Sequence, residues 1–284
     1  MLSDTQRAAL AARLRQGRRT EPAPAGSGPV IDLGTGGTMP AYLLHAVGGS
    51  VFEYAALVRE LAATYRLYGI EASGLRADTE PAGSLAELAD RYARAIRTSQ
   101  PSGPYRLIGW SMGGVLAFET ARRIEDSGGT VGLVVLIDTP YRTVASYADS
   151  AEGLAALFVA DALRASGGTP GPGTAPVAEQ LDDLAARLAP EADGRAELRA
   201  ELERRYAVFV AHTNALAGYQ PTAPVSADAI LVSAADSPDS APDWSTMFRG
   251  RVRAVPTAAH HFACLRPPAV TDIAELIRTA GEAS

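Results

Sequence analysis

The chain has 284 residues, of which 47% are hydrophobic and 20% are charged, a composition typical of globular proteins. A net charge of −6 and the lack of a dense Lys/Arg tract argue against binding to nucleic acid. The single cysteine, Cys264, excludes an intramolecular disulfide and favours a cytoplasmic location. No apolar run approaches about 18 residues, so we expect no membrane-spanning segment. One cysteine and four histidines give little material for a metal cluster.

Residues 1–29 are predicted to lie outside the main domain. Ser3-Asp4-Thr5-Gln6 fits a capping box, which predicts a short helix with Leu10 and Leu14 on one side. Residues 17–29 are rich in Arg, Pro, Gly and Ala, which is typical of a linker. The helix is a candidate element for docking or dimerisation.

From residue 30 to the end of the chain, short apolar runs alternate with amphipathic segments. Strands are predicted, in chain order, at residues 42–44, 65–70, 105–108, 133–137, 229–233 and 252–256. Helices are predicted at 52–63, 85–98, 114–126 and 269–280. The run 133–137 is apolar throughout, as expected of a parallel strand covered on both faces. The alternation predicts an α/β domain over residues 30–284 with a mostly parallel, doubly wound sheet.

The alternation stops at Tyr141. Up to about Pro224 the sequence is Ala-rich and helical, and it includes a helix predicted from about residue 195 to 217. We interpret residues 141–224 as a helical insertion between two strands. At the carboxyl edge of the sheet it would act as a lid over the crevice in which α/β proteins bind ligands.

Gly109-Trp110-Ser111-Met112-Gly113 matches the G-x-S-x-G nucleophile elbow. It follows a predicted strand and precedes a predicted helix, which is the context that the motif requires. The Ser111 hydroxyl would project above the sheet from a strained turn. An acyl-transfer site also needs an oxyanion hole. The backbone N–H of Met112 is one predicted donor, and that of Val47 or Gly48, in the loop 45–49, is the second.

A serine nucleophile needs a base and a carboxylate that orients it. Two adjacent histidines, His260 and His261, precede the last helix, and chemistry alone leaves the choice between them open. Asp138 follows the strand after the elbow helix, and Asp236 follows the next strand. Both aspartates are candidates for the acid.

Several segments resemble the thioesterase domains that terminate nonribosomal peptide and polyketide synthases. The resemblance spans about residues 30–280 and rests on residues 45–50, the elbow 109–114 with Phe118-Glu119, the strand ending at Asp138, and His261-Phe262 with 265–267. It implies an α/β-hydrolase fold with Ser111, Asp138 and His261 as the catalytic triad. It also implies that the backbone N–H groups of Met112 and Val47 stabilise the oxyanion.

The resemblance further implies what the enzyme acts on. Ser111 would attack an acyl thioester carried on the phosphopantetheine arm of an acyl or peptidyl carrier protein domain. Hydrolysis or macrocyclisation would then release the chain, and the thioesterase itself would need no metal or cofactor. Two alternatives stay open. A discrete type II editing thioesterase, or another stand-alone serine hydrolase, would use Asp236 as its acid, and a catalytically silent docking domain would not use the serine at all.

Overall fold

A computed structural model gives the structure of most of the chain. It describes residue 11 and residues 28–34, 36–76, 79–164, 169, 173–190, 194–238 and 240–281. Apart from residue 11, the predicted N-terminal helix lies outside the described residues, and so does the predicted linker apart from residues 28 and 29. Their prediction is therefore not tested. In the described ranges, no helix is long and apolar enough to cross a membrane.

In the part of the chain that the structure describes, seven strands form a single sheet. They are β1 (Val30–Asp32), β2 (Met39–Leu44), β3 (Tyr65–Ile70), β4 (Tyr105–Trp110), β5 (Val131–Ile137), β6 (Asp228–Ser233) and β7 (Val252–Pro256). Their order in the sheet is β1-β3-β2-β4-β5-β6-β7. The edge strand β1 pairs antiparallel with β3, and every other pair is parallel. The prediction of a mostly parallel sheet is therefore confirmed.

Helices cover both faces of the sheet. The described helices are α1 (Ala55–Leu61), α2 (Leu85–Ser99), α3 (Met112–Asp126), α4 (Ala151–Arg164), α5 (Val177–Leu188), α6 (Arg195–Leu216), α7 (Ala241–Ser245) and α8 (Ala269–Gly281). Because side chains alternate along a strand, Leu44 of β2 packs with α2 and α3, whereas its neighbour Leu43 packs with α1 and α8. The sheet is thus doubly wound, as predicted.

The local signals place most elements to within a few residues. The Ser84 hydroxyl caps α2 by accepting a hydrogen bond of 3.2 Å from the Glu87 backbone N–H, as the capping-box pattern predicts. Outside the insertion, whose α4 and α5 were predicted only as a helical region, two elements were not predicted from the sequence, namely β1 and α7. Each is only three to five residues long. So short a segment carries no periodicity and is defined by its tertiary partners.

In the described part of the chain between β5 and β6 lie three helices, α4, α5 and α6. They share an apolar cluster that includes Phe158, Leu184 and Leu202 and is separate from the two clusters against the sheet. The carboxyl ends of β4 and β5 open toward this group of helices. The functional site lies at that edge.

Candidate active site

Ser111 stands between the end of β4 and the start of α3 in a strained backbone conformation, with φ 57° and ψ −129°. The elbow is so tight that a Cβ on Gly109 would lie 2.0 Å from the carbonyl oxygen of Gly113. A Cβ on Gly113 would lie 2.4 Å from the carbonyl oxygen of Leu44. Only glycine fits at these two positions, which explains the residue types of the motif.

The Tyr54 hydroxyl forms hydrogen bonds to two strand ends next to the elbow. It donates a hydrogen bond of 2.7 Å to the carbonyl of Leu44 and accepts one of 2.7 Å from the backbone N–H of Trp110. All of these groups are buried. Tyr54 therefore ties the end of β2 to the end of β4. The sequence carried no signal for this role, because Tyr54 reads only as one apolar position of a helix.

Asp138 and His261 form a direct pair. The Nδ1 atom of His261 lies 2.5 Å from Oδ2 of Asp138. The same carboxylate accepts hydrogen bonds from the Ser237 hydroxyl at 2.7 Å and from the Ala234 backbone N–H at 3.0 Å. Burial alone would raise the pKa of Asp138, but the hydrogen bonds from His261, Ser237 and Ala234 outweigh it and hold the pKa below its ordinary value. Asp138 is therefore ionised at neutral pH.

The two alternative candidates, Asp236 for the acid and His260 for the base, lie in the same loops as Ser237 and His261 but make other contacts. Asp236 Oδ1 accepts a hydrogen bond of 2.8 Å from the backbone N–H of His261, so it contacts the main chain of the loop and not the imidazole. His260 is exposed and begins the short turn that carries His261. The structure thus places Ser111, Asp138 and His261 at one cavity, and among the described residues the carboxylate bonded to the imidazole is that of Asp138 and not that of Asp236.

Trp110 packs against the imidazole ring of His261. Its indole lies against the imidazole with ring centroids 4.7 Å apart, and its Nε1–H donates a hydrogen bond of 3.2 Å to the carbonyl of His261. Phe262 meets the imidazole edge-on at 5.0 Å. These contacts and the Asp138 carboxylate fix the orientation of the ring.

A cavity of about 390 Å³ joins these groups. Ser111, Met112, His261 and Val47 all line it, and so do side chains of α4 and α6 such as Leu157 and Phe209. Within the described ranges, no residue accepts a hydrogen bond from the backbone N–H of Met112 or of Val47. Both donors belong to residues that line the same cavity as Ser111.

Residues 40–280 match a family model described as a thioesterase domain. This chain belongs to the thioesterase domain family. Thioesterase domains of this type are serine hydrolases with the α/β-hydrolase fold, so the predicted family and enzyme class are confirmed.

Curated relatives of the domain are synthases. The chain is 33% identical over 127 residues to a dimodular nonribosomal peptide synthase of Bacillus subtilis strain 168, covering 44% of this chain and 5% of that protein. It is 35% identical over 104 residues to polyketide synthase PksR of the same organism, covering 37% of this chain and 4% of that protein. The chain thus corresponds to a small part of each of these relatives.

Solved structures show the same fold. The chain resembles part of holo-AB3403, a four-domain nonribosomal peptide synthetase, with a TM-score of 0.74 and 25% identity over 96% of this chain and 21% of that one. It resembles the wild-type Vlm2 thioesterase domain with a TM-score of 0.65 and 20% identity, covering 88% and 96% of the two chains. The thioesterase domain SrfTE matches with a TM-score of 0.57 and 19% identity, covering 90% and 97%. The predicted α/β-hydrolase fold is therefore confirmed.

Proposed function

We propose that this domain releases an acyl, peptidyl or polyketide chain from a phosphopantetheine thioester on a carrier protein domain, through an acyl-enzyme on Ser111. The observation that carries the proposal is the hydrogen bond of 2.5 Å between Asp138 and His261 at the cavity that contains Ser111. The synthase relatives support the carrier-bound substrate, because their names describe enzymes that build peptides or polyketides.

In the first half-reaction, Ser111 Oγ attacks the thioester carbonyl carbon while Nε2 of His261 takes the hydroxyl proton. Asp138 accepts the Nδ1–H hydrogen bond, which fixes the tautomer with a free Nε2 and stabilises the imidazolium. The oxyanion receives hydrogen bonds from the backbone N–H groups of Met112 and Val47. The C–S bond then breaks, and His261 passes its proton to the departing pantetheine thiolate.

In the second half-reaction, water or a nucleophile within the substrate attacks the ester carbonyl of the acyl-enzyme. His261 takes the proton of that nucleophile and returns it to Ser111 Oγ as the ester bond breaks. The product is a free acid or a ring. Every step uses groups of this chain, so we propose that no metal or cofactor takes part.

The role of Asp236 separates this mechanism from that of a stand-alone hydrolase that would use it as the acid. Its carboxylate accepts the His261 backbone N–H, so we propose that it shapes the histidine loop. The intact set of Ser111, Asp138 and His261 also argues against a silent docking domain. We further propose that the insertion covers the acyl chain, because α4 and α6 contribute Leu157 and Phe209 to the cavity.

A panel of acyl-pantetheine thioesters, free and loaded on a carrier protein, tests the proposal. Mass spectrometry would identify each product as an acid or a ring. We expect release that requires Ser111 and is lost in Ser111→Ala. Equal release by Ser111→Ala, or activity on simple oxygen esters with none on any thioester, would contradict the proposal.

A further inference from the structure

The loop 45–49, here called the oxyanion loop, is held by two buried histidines. The Nδ1 atom of His45, at the start of the loop, lies 2.8 Å from the carbonyl oxygen of Ala46. The Nδ1 atom of His212, on α6, lies 2.8 Å from the carbonyl oxygen of Val47, which is 165 positions away in sequence. The two imidazoles stack with centroids 4.8 Å apart and an angle of 13°. A residue of the insertion thus bonds directly to the loop that carries a proposed oxyanion donor.

The hydrogen bonds fix the protonation of both rings. A carbonyl oxygen can only accept, so each Nδ1 carries the proton and donates it. His45 Nε2 then accepts from the Tyr92 hydroxyl at 2.6 Å. Burial, with a further contribution from His212, lowers the pKa of His45 to about 3. Burial also lowers the pKa of His212 to about 4. Both imidazoles are neutral at neutral pH.

The two bonds hold two successive peptide groups of the loop. The peptide bonds here are trans, and in a trans peptide the C=O and N–H point in opposite directions. His45 Nδ1–H and the Gly49 backbone N–H both bind the Ala46 carbonyl, so the Val47 N–H faces away from them. His212 likewise holds the Val47 carbonyl and thereby sets the next peptide plane. A rotation about either side of Val47 would require breaking one of these hydrogen bonds.

Packing on the same side of α6 reinforces the contact. Val208 lies one turn before His212 and is fully buried. A Cβ on Gly49 would lie 2.8 Å from Val208 Cγ1, and one on Gly74 would lie 2.9 Å from Cγ2. Both glycines have positive φ, 81° and 89°. Two loops at the edge of the sheet therefore follow close paths around a side chain of α6.

We propose that His212 is a positioning residue for acyl transfer, because its hydrogen bond to the Val47 carbonyl holds the oxyanion loop in its working arrangement. This inference rests on the function proposed above. It makes α6 a fixed part of the catalytic framework, although the helix belongs to the insertion. Any opening of the insertion then has to involve α4 and α5, or else break the bond that orients the oxyanion donor.

Three substitutions at His212 separate the effect of losing its hydrogen-bond donor from the effect of changing its side-chain volume. His212→Asn places an amide N–H close to the position of Nδ1, whereas His212→Gln carries it one bond further out. His212→Leu keeps a branched buried side chain and removes the donor. We expect the Leu and Gln variants to lower kcat by about 10- to 100-fold, somewhat less than the loss of a whole oxyanion donor. The Asn variant should stay within about threefold of wild type, and KM should change by less than about twofold in all three, because the oxyanion forms only in the transition state.

Tyr206→Phe is the matched control. It also removes a hydrogen bond from an α6 side chain to a backbone carbonyl, but that of Ala151 in α4 and not of the oxyanion loop. We expect its kcat to equal that of wild type. Labelling of Ser111 by a fluorophosphonate would count the active sites in every variant, so that loss of folded protein is not mistaken for loss of kcat.

The outcomes are distinct. Equal kcat for the Asn, Gln and Leu variants overturns the inference and leaves the proposed function intact. An effect confined to KM also overturns it, because that result indicates substrate contact. If the Leu variant does not fold, the comparison of Asn with Gln decides alone. A wild-type protein that neither takes the probe nor turns over a thioester overturns the proposed function, and this inference with it.

Discussion

Mild acid should destabilise this protein through its two stacked histidines. His45 and His212 have folded-state pKa values of about 3 and about 4, against an ordinary value of 6.5. Between pH 6.5 and about 4 the two histidines of the unfolded chain therefore bind protons that those of the folded chain do not. The contribution of the two neutral histidines to the free energy of unfolding is therefore fully present above pH 6.5 and is lost as the pH falls toward 4.

The size of the effect follows from the linkage relation. At pH 5, a histidine with a pKa of 6.5 when unfolded and about 4 when folded reduces the free energy of unfolding by about 2 kcal/mol relative to neutral pH. His45 contributes a similar amount. The sum is a large share of the roughly 5–15 kcal/mol that stabilises a typical domain.

Urea unfolding of wild type and His212→Asn at pH 7 and pH 5 measures the contribution of His212. We expect the wild type to lose about 2 kcal/mol more than the variant between the two pH values. Titrating groups that do not contact His212 are common to both proteins and cancel in the difference, including Glu71, whose pKa burial raises. His45 nearly cancels as well, because burial is the main cause of its lowered pKa. The same pH dependence in both proteins would refute the reasoning, because it would mean that His212 accepts a proton without unfolding.

Three further changes test the site and its support. Asp138→Asn should lower kcat by roughly 10³–10⁴-fold because the tautomer of His261 is no longer fixed, whereas Asp236→Asn should cost less than about tenfold. Tyr54→Phe should reduce the free energy of unfolding by about 2–4 kcal/mol, since it removes the hydroxyl that bonds to two buried backbone groups. Tyr105→Phe, which loses a single hydrogen bond of 2.9 Å, should cost about 1 kcal/mol. Gly109→Ala should destabilise the fold by about 3 kcal/mol or more, because its Cβ would lie 2.0 Å from a backbone oxygen of α3.

Steady-state kinetics and chemical denaturation give these values. A larger loss of kcat in Asp236→Asn than in Asp138→Asn would favour the stand-alone hydrolase mechanism. Equal stability of the two Tyr→Phe variants would show that the elbow does not depend on Tyr54. Wild-type stability in Gly109→Ala would mean that the elbow can relax.

The sequence predicted the sheet well because its signals are local. Apolar runs, helical spacing and the Ser84 cap are each properties of one segment, and so is the elbow. The residues alone left Asp138 and Asp236 as equal candidates, because both follow neighbouring strands at the same edge of the sheet. Only the three-dimensional arrangement shows that the Asp138 carboxylate bonds to the imidazole of His261, whereas the Asp236 carboxylate bonds to the backbone N–H of the same residue.

Contacts between distant segments could not be predicted. The bond from His212 to Val47 joins residues 165 positions apart, and His212 alone reads as a polar residue within a helix. Tyr54 and Trp110 are 56 positions apart, and nothing in either segment indicates the other. Such contacts follow from the packing of the insertion and the sheet, which no single segment encodes.

Intact-protein mass spectrometry during turnover of an acyl-pantetheine thioester tests the central claim most directly. We predict a transient species heavier than the protein by the mass of the acyl chain, with the modification located on Ser111 by peptide mapping. Asp138→Asn should slow its formation, and Ser111→Ala should not form it. An acyl group on any other residue, or normal turnover by Ser111→Ala, would contradict the mechanism.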